Sequence, residues 1–275
     1  MATLSIAIVT YLPDIRLLSR CLVSLQRASD FARQTQELSG NSLVLVDNST
    51  DPKVRNQLNE LLNGATNPPW DTVQVLATQS NLGYGRAHNL AIKDTHAEYH
   101  LILNPDVLLE EDALHNALQF MEQHPEIALL TPSAVNEHGK KEYLIKRHPG
   151  FLTLFIRGFA PTFLKNRFRD RIAHYEMLDL NPDKVHYDIP LASGCFMFYR
   201  TPILKKLGGF SDQFFLYFED YDLSIRTRDL GRVAYVPSVK ITHFGGGAAR
   251  KGLRHILLFI RSAITFFRLH GWKLW

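Results

Sequence analysis

The densest chemistry in the chain lies where Phe214-Phe215-Leu216-Tyr217-Phe218 runs directly into Glu219-Asp220-Tyr221-Asp222. Carboxylates set against apolar walls are partly desolvated, which raises their pKa and makes them better general bases than solvated surface acids. An acidic helix N-terminus, favoured by the helix dipole, accounts for the same residues without chemistry. A second set of polar groups stands just behind apolar runs: Tyr11 after the first, Asp47 after the second, Asn81 and Gly83 after the third, Asp106 after the fourth. In an open parallel sheet, ligands bind beyond the carboxyl ends of the strands, so these groups could meet at one place. Singly, Asp47-Asn48-Ser49 and Asn104-Pro105-Asp106 are also ordinary turn formers. Thr242-His243-Phe244, followed by Gly245-Gly246-Gly247, puts a histidine at a strand end before a flexible turn. A lone histidine is usually structural, so its weight comes from its neighbours.

Strands must bring these residues together. Up to about Thr131, short β-branched runs alternate with longer amphipathic ones, the pattern of βα units around a parallel sheet. Residues 4–10, 43–47, 72–77 and 99–104 read as strands, each nearly continuous in apolar residues as expected for a sheet covered on both faces. Leu17, Leu18, Cys21, Leu22 and Leu25 recur on one helix face. Asp51 and Pro52 open another helix as cap and first-turn proline. A fifth run, 127–131, ends at Pro132, and 110–123 reads as a helix. Between 136 and 188 the periodicity weakens, and no structure is assigned. A strand over 194–200, a helix over 220–230 that stops at Gly231, and two short strands over 233–236 and 239–243, split by Pro237-Ser238, complete the pattern. There is no internal repeat and no low-complexity tract.

The 275 residues are 45% hydrophobic and 21% charged, a globular composition with ample surface for a core, which excludes disorder, collagen and coiled coil. Lys+Arg 31 against Asp+Glu 27 leaves a formal charge of +4, suited to anionic small molecules or membrane surfaces and too small for a nucleic-acid-binding protein. The two cysteines, Cys21 and Cys195, supply neither a disulfide framework nor a four-thiolate zinc site, and point to a reducing, cytoplasmic setting. The first apolar stretch is too short for a signal peptide, and no run reaches the roughly 18 apolar residues of a membrane-spanning helix. Thr10-Tyr11-Leu12-Pro13-Asp14 after the first strand is neither a Gly-x-Gly-x-x-Gly dinucleotide turn nor a P-loop, which argues against hydride transfer and P-loop phosphoryl transfer. Sugar-phosphate nucleotidyltransfer would also want a glycine-rich basic loop there. A diphosphate ligand without such a cradle needs another counter-charge; a divalent cation is the usual one, and Asp106 is its obvious ligand.

Taken in order, the motifs resemble the family-two inverting glycosyltransferases with the GT-A fold. They are Ile8-Val9-Thr10-Tyr11, Val46-Asp47-Asn48-Ser49, Asn81-Leu82-Gly83-Tyr84-Gly85-Arg86-Ala87-His88-Asn89, Leu103-Asn104-Pro105-Asp106, Ala192-Ser193-Gly194-Cys195-Phe196-Met197, Gly208-Gly209-Phe210, Tyr217-Phe218-Glu219-Asp220-Tyr221-Asp222-Leu223 and Thr242-His243. The Asn-Pro-Asp and Phe-Glu-Asp-Tyr-Asp versions are similar to those of bacterial rhamnosyltransferases that build surface polysaccharide or lipopolysaccharide. The resemblance implies an α/β GT-A domain over 1–250, a mainly parallel Rossmann-like sheet flanked by helices. It implies that Thr10, Tyr11 and Asp47 hold the nucleoside, with Asp47 accepting from N3 of uracil or thymine. Asn81, Gly83 and Arg86 would line the nucleotide-sugar site, with Asn104 and Gly194 beside it. Asp106 and His243 would hold Mg²⁺ or Mn²⁺, and Asp220, or failing it Glu219, would take the acceptor proton. The implied donor is a dTDP- or UDP-sugar, best read as dTDP-L-rhamnose, and the acceptor a saccharide or lipid-linked saccharide. A non-catalytic nucleotide-sugar-binding protein of the same fold is the rival reading. Many relatives carry Asp-x-Asp where this chain has Asn104, a weaker ligand, so either the metal is held weakly or Asn104 contacts the sugar.

Residues 251–275 read as an amphipathic helix. Leu253, Ile256, Leu257, Ile260, Ile264 and Phe267 form an apolar stripe, and Arg254, Arg261 and Arg268 repeat every seven residues on the other side. Two roles are open to it. One is packing on the catalytic domain; the other is lying in an anionic membrane interface on the inner face of the plasma membrane, with Phe259, Phe266, Trp272 and Trp275 dipping inward.

Overall fold

The structure, a computed structural model, describes residues 1–63, 70–245 and 252–273. Its first half runs β1 (Ala2–Thr10), α1 (Ile15–Gln34), β2 (Leu38–Asp47), α2 (Pro52–Asn63), β3 (Thr72–Ala77), α3 (Tyr84–Asp94), β4 (Tyr99–Leu103), β5 (Val107–Leu109), α4 (Ala113–Gln123) and β6 (Ile127–Asn136). There follow β7 (Lys141–Glu142), β8 (Ile145–Lys146), α5 (Phe151–Phe159), α6 (Thr162–Arg167), α7 (Arg169–Tyr175), β9 (His186–Tyr187) and β10 (Leu191–Ala192). The chain continues with β11 (Phe196–Arg200), α8 (Thr201–Lys206), α9 (Glu219–Thr227), β12 (Arg232–His243) and α10 (Leu253–His270).

The main sheet has the order β3-β2-β1-β4-β11-β6-β12-β5. β1 to β4 are parallel, β11 inserts antiparallel between β4 and β6, and β5 closes the edge antiparallel to β12. Strand residues alternate between two apolar layers. Leu4, Ile6 and Ile8 of β1 join Leu18, Cys21 and Leu25 of α1 in one core, and Ala7 and Val9 meet Ala87 and Ala91 of α3 in another. Asp14 sets the start of α1, its Oδ1 accepting the N–H groups of Arg16 and Leu17 at 2.9 and 3.1 Å. Asp51 does the same for α2, accepting from the Lys53 N–H at 2.9 Å.

Three expectations need correction. β6 does not end at Pro132 but runs on to Asn136: β11 pairs only with Leu129 and Leu130, so the missing proline N–H falls where that neighbour has already left. The two short strands around Pro237-Ser238 form one strand, β12, because β12 shifts register against β6 between Val236 and Lys240 and absorbs the proline as a bulge. The stretch 136–188, expected to be irregular, holds α5, α6, α7 and three two-residue strands.

α10 is present and packs on the domain, but of its predicted apolar stripe only Phe267 is buried. Ser262, Ala263, Phe266 and Phe267 are buried, with Phe266 and Phe267 joining Leu154, Phe214 and Phe218. Phe259 and Phe266, expected to dip into lipid, are turned to this protein core. Leu253, Leu257, Ile260 and Ile264 are 80, 68, 43 and 43% exposed, beside the solvent-facing row Arg254, Arg261 and Arg268. The expected boundary at 250/251, with Gly246, Gly247 and Trp275, lies outside the described residues. No helix among the described residues is long and apolar enough to cross a membrane.

Candidate active site

The sheet topology draws the polar strand ends to one edge. β11 runs antiparallel to β4, so its leading residues lie beside the trailing end of β4, and the Asn104 N–H donates to the Cys195 carbonyl at 2.9 Å. β12 pairs His243 with Val107 of β5 and with Asn136 of β6, which sets His243 next to Asp106. β7 folds back on β6, pairing Glu142 with Ala134 on the same side. A residue from four separate parts of the chain thereby reaches one corner.

At that corner His243 Nε2 faces Asp106 Oδ1 at 3.8 Å, and His243 Nδ1 lies 2.8 Å from Glu142 Oε2. If Nδ1 carries the proton and gives it to Glu142, the Nε2 lone pair is left towards Asp106, the usual way a carboxylate fixes a metal-binding imidazole. Burial pulls the imidazole pKa down, yet the Glu142 hydrogen bond and the Asp106 and Glu142 charges outweigh it and hold it above its ordinary value. Asp106 Oδ1 and Asn104 Oδ1 are both buried without a hydrogen-bond partner. A Cβ on Gly245 would stand 2.4 Å from His243 Nε2 and 2.9 Å from Asp106 Oδ2, so the space between the two is kept by a glycine. Orphaned oxygen acceptors and an aimed imidazole suit a hard divalent cation. Among the described residues no three His, Cys, Asp or Glu side chains already form a cage, so further ligands would have to come from solvent or a substrate diphosphate. Glu142 was not singled out in the sequence.

The nucleoside end is built on β1 and β2. Asp47 is fully buried; its Oδ1 accepts from Ser49 N–H at 3.0 Å and Ser49 Oγ at 2.6 Å. Its Oδ2 accepts nothing, with Arg55 Nε 3.7 Å away. A buried carboxylate oxygen without a donor is costly, and a ligand N–H would relieve it. Thr10 is buried and Tyr11 half exposed at the end of β1. Asn81, Gly83 and Arg86 hold the scaffold. Asn81 Oδ1 accepts from the Gly83 N–H and Asn48 Nδ2, at 2.9 and 3.0 Å. Gly83, at φ +85°, lies so close to Phe215 that a Cβ would stand 2.2 Å from its carbonyl. Arg86 donates to the Asp212 carbonyl. Asn48 is the hub of this corner: its Nδ2 also donates to the Gly83 carbonyl, and its Oδ1 accepts from Leu82 N–H and Thr78 Oγ1.

α9 begins with the two acids. Asp220 Oδ2 accepts the Gly194 N–H at 2.8 Å and Oδ1 the Tyr221 N–H at 2.9 Å. Tyr84 Oη donates to the Gly194 carbonyl at 2.6 Å, so one residue ties α3 to Asp220. Gly194 leaves room for this: a Cβ there would press within 3.2 Å of Asp220 Cβ. Burial raises the Asp220 carboxyl to about 6, against the pull of the backbone N–H groups. Burial, with the Asp220 charge beside it, pushes Glu219 to about 8, and its Oε2 has no partner. Both carboxyls are thus held above the ordinary carboxylate range, and near neutral pH the pair shares a proton. Cys195 links the two ends of the site. Burial lifts its thiol to about 12; Ser193 opposes this, while the charges of Asp106, Glu142 and Asp220 add to it. Carboxylates from three elements thus act on one side chain.

The raised Glu219 carboxyl also bears on folding. A group whose folded pKa exceeds its unfolded one gives stability that is complete below the unfolded value of 4.5 and lost as pH rises towards about 8. Glu219→Gln is therefore expected to gain ~1–2 kcal/mol near pH 8 and little near pH 4. Denaturant melts at both pH values check this, and a variant that loses stability with pH as steeply as the parent would contradict it.

Residues 5–208 match the family described as glycosyl transferase family 2. The chain is 25% identical over 175 residues to the rhamnosyltransferase WbbL of Escherichia coli (strain K12), covering 59% of this chain and 61% of that protein. It is 26% identical over 223 residues to an N-acetylglucosaminyl-diphospho-decaprenol L-rhamnosyltransferase of Mycobacterium tuberculosis, covering 74% of this chain and 70% of that protein. The chain thus spans 61 to 70% of the length of these two relatives. The mannosyltransferase PcManGT of Pyrobaculum calidifontis, solved with GDP-Man and Mn²⁺, shares the fold at a TM-score of 0.62 and 17% identity, over 95% of this chain and 64% of that one.

Proposed function

The chain belongs to glycosyl transferase family 2, and from that premise we propose that it is an inverting transferase moving L-rhamnose from dTDP-L-rhamnose to a saccharide or lipid-linked acceptor in surface-polysaccharide or lipopolysaccharide assembly. The observation that carries the chemistry is one cleft lined by Asp220, Gly194, Cys195 and Asn104, in which the Gly194 N–H donates to Asp220 at 2.8 Å and the Asn104 N–H to the Cys195 carbonyl at 2.9 Å, two residues before Asp106. A base and a diphosphate-stabilising carboxylate on either side of one small space is what direct displacement requires.

In this reading Asp47 Oδ2 accepts the N3–H of the base, a donor that thymine and uracil share. Asp106 and His243, oriented by Glu142, hold Mg²⁺ or Mn²⁺, which when bound neutralises charge on the departing diphosphate. Asp220 takes the proton of the acceptor hydroxyl, whose oxygen forms the new bond to the anomeric carbon. The bond from that carbon to the diphosphate oxygen breaks with its electron pair leaving on the diphosphate, and the configuration inverts. Tyr84 and Gly194 hold Asp220 in place, and the aromatic run before Glu219 keeps bulk water from its carboxylate.

A panel of dTDP- and UDP-sugars with and without Mn²⁺ tests the donor by thermal shift, since a ligand at about 100 times its Kd adds ~2.7 kcal/mol to the folded state. Selective stabilisation by dTDP-L-rhamnose supports the reading. Preference for a UDP-sugar moves it to the alternative donor, donor binding without transfer leaves a nucleotide-sugar-binding protein, and no response to any sugar nucleotide removes it.

Peripheral attachment to an anionic membrane belongs to the same proposal. The outward leucine and isoleucine row of α10, its arginine row, and the exposed Phe155, Phe163 and Trp272 supply the apolar and cationic groups such attachment needs. Vesicles containing phosphatidylglycerol are expected to sediment the protein at low salt and to release most of it at about 0.5 M salt, where the Debye length falls to roughly 4 Å. Equal sedimentation with neutral vesicles would remove the electrostatic part.

A further inference from the structure

The cleft in front of Asp220, of roughly 350 Å³, is lined in part by Asn104, Cys195 and Tyr84, Asn104 standing two residues before Asp106. Elsewhere on its wall stand Leu154 and Arg157 of α5 and Phe259 of α10. Arg157 is the one cationic side chain among the described lining residues. Its Nε donates to Glu176 Oε1 at 2.8 Å, while its two Nη groups have no protein partner among the described residues. Its side chain is 46% exposed. Glu176 must serve a second cation as well, with Lys146 Nζ 3.7 Å away, so one carboxylate faces two positive charges. Near a cleft that already holds Glu219 and Asp220, this excess positive charge offsets the repulsion that an anionic acceptor would meet.

The same two helices carry outward apolar side chains. Phe151 and Phe155 of α5 are 44 and 50% exposed, and Phe151 packs against Phe267 of α10 and Trp272 just beyond it. A hydroxyl at Asp220, an anion at Arg157 and a hydrocarbon tail along α5 and α10 would together span one connected surface.

Resting on the transferase reading above, with its lipid-linked acceptor, we infer that Arg157 is the residue that binds the acceptor's phosphate or diphosphate group. Glu176 takes the Nε edge of the guanidinium and leaves the planar Nη pair for a phosphate, the geometry at which arginine exceeds lysine. The donor diphosphate is served from the other side by Asp106 and His243, so Arg157 discriminates acceptors and leaves donor binding alone.

The test uses farnesyl diphosphate, farnesol and inorganic pyrophosphate as probes, in EDTA so that the metal-dependent donor site is silent. Farnesyl diphosphate is expected to stabilise the full chain against heat and to bind about 10- to 100-fold more weakly to Arg157→Gln, with Arg157→Lys between them. Farnesol binding should not change with the substitution. In turnover with a glycosyl diphospholipid, Arg157→Gln should raise the acceptor KM with the donor KM unchanged. Equal binding of farnesyl diphosphate to parent and Arg157→Gln overturns the inference, as does pyrophosphate binding as tightly as the lipid diphosphate. If the sugar-nucleotide panel with Mn²⁺ still stabilises the protein, such a result sinks this inference alone; if it does not, the transferase reading falls with it. Lys146 stays beside Glu176 in the variant, which limits the structural cost, and unchanged melting of unliganded Arg157→Gln verifies it.

Discussion

Asp220→Asn is expected to lower kcat by about 10²- to 10⁴-fold, the usual share of a general base, with donor binding within a few-fold of the parent. The amide cannot take the hydroxyl proton, yet it keeps the shape of the carboxylate and one of its two backbone acceptor contacts. The pH profile separates loss of a base from loss of shape. Activity of the parent should rise with pH through an apparent pKa of about 6, because only the ionised carboxylate accepts a proton. That limb should vanish from the residual rate of the variant. Glu219→Gln should keep most of the activity, since Asp220 is the carboxylate that the Gly194 and Tyr221 N–H groups orient. Were it instead as damaged as Asp220→Asn, the proton acceptor would be Glu219.

Asp106→Ala is expected to cost on the order of 10²- to 10³-fold in kcat, as removal of electrostatic stabilisation at a leaving group does, and to raise the Mn²⁺ concentration needed for half-activity. Asn104→Ala should cost far less, since a neutral amide oxygen is the weaker ligand and its main-chain contact with Cys195 survives the substitution. Steady-state rates across a Mn²⁺ titration distinguish the two positions. Equal and mild losses would overturn the assignment of Asp106 to the cation.

Much of this site can be read from the chain because parallel strands announce themselves. Continuous apolar runs ended in Thr10, Asp47 and Asn104, and the strands lie where those runs lie. Asn104 and Asp220 are brought to one cleft by β11 entering beside β4, and the pattern Ala192-Ser193-Gly194-Cys195 marks that entry. Other features leave no periodic trace. Glu142 sits on a two-residue strand, and its role comes only from the pairing of β7 with β6. Asn48 was visible as part of a motif, but its four hydrogen bonds reach Thr78 and residues 81–83 across the fold. α5, α6 and α7 are short and rich in aromatic and basic residues, so no long apolar period could build up. For α10, the spacing of leucines and isoleucines shows that an apolar face exists but not what it meets. Phe267, at one end of that stripe, and Phe266 beside it take the protein side with Phe214 and Phe218, while most of the aliphatic row faces out.

The approach to Glu219 and Asp220 bends through Tyr217 and Phe218, both left-handed at φ 73 and 66°, a conformation that costs roughly 1–3 kcal/mol per non-glycine residue. α10 holds that bend. Ser262 Oγ donates to the Leu216 carbonyl at 2.8 Å, His255 Nδ1 meets Tyr217 Oη at 2.9 Å, and His270 Nε2 meets Asp222 Oδ1 at 2.9 Å. On a translating ribosome the acids therefore emerge well ahead of their brace. A nascent chain that stops short of α10 carries the Tyr217-Phe218 bend without these three contacts, so the brace on the bend is the last part of this region to be made.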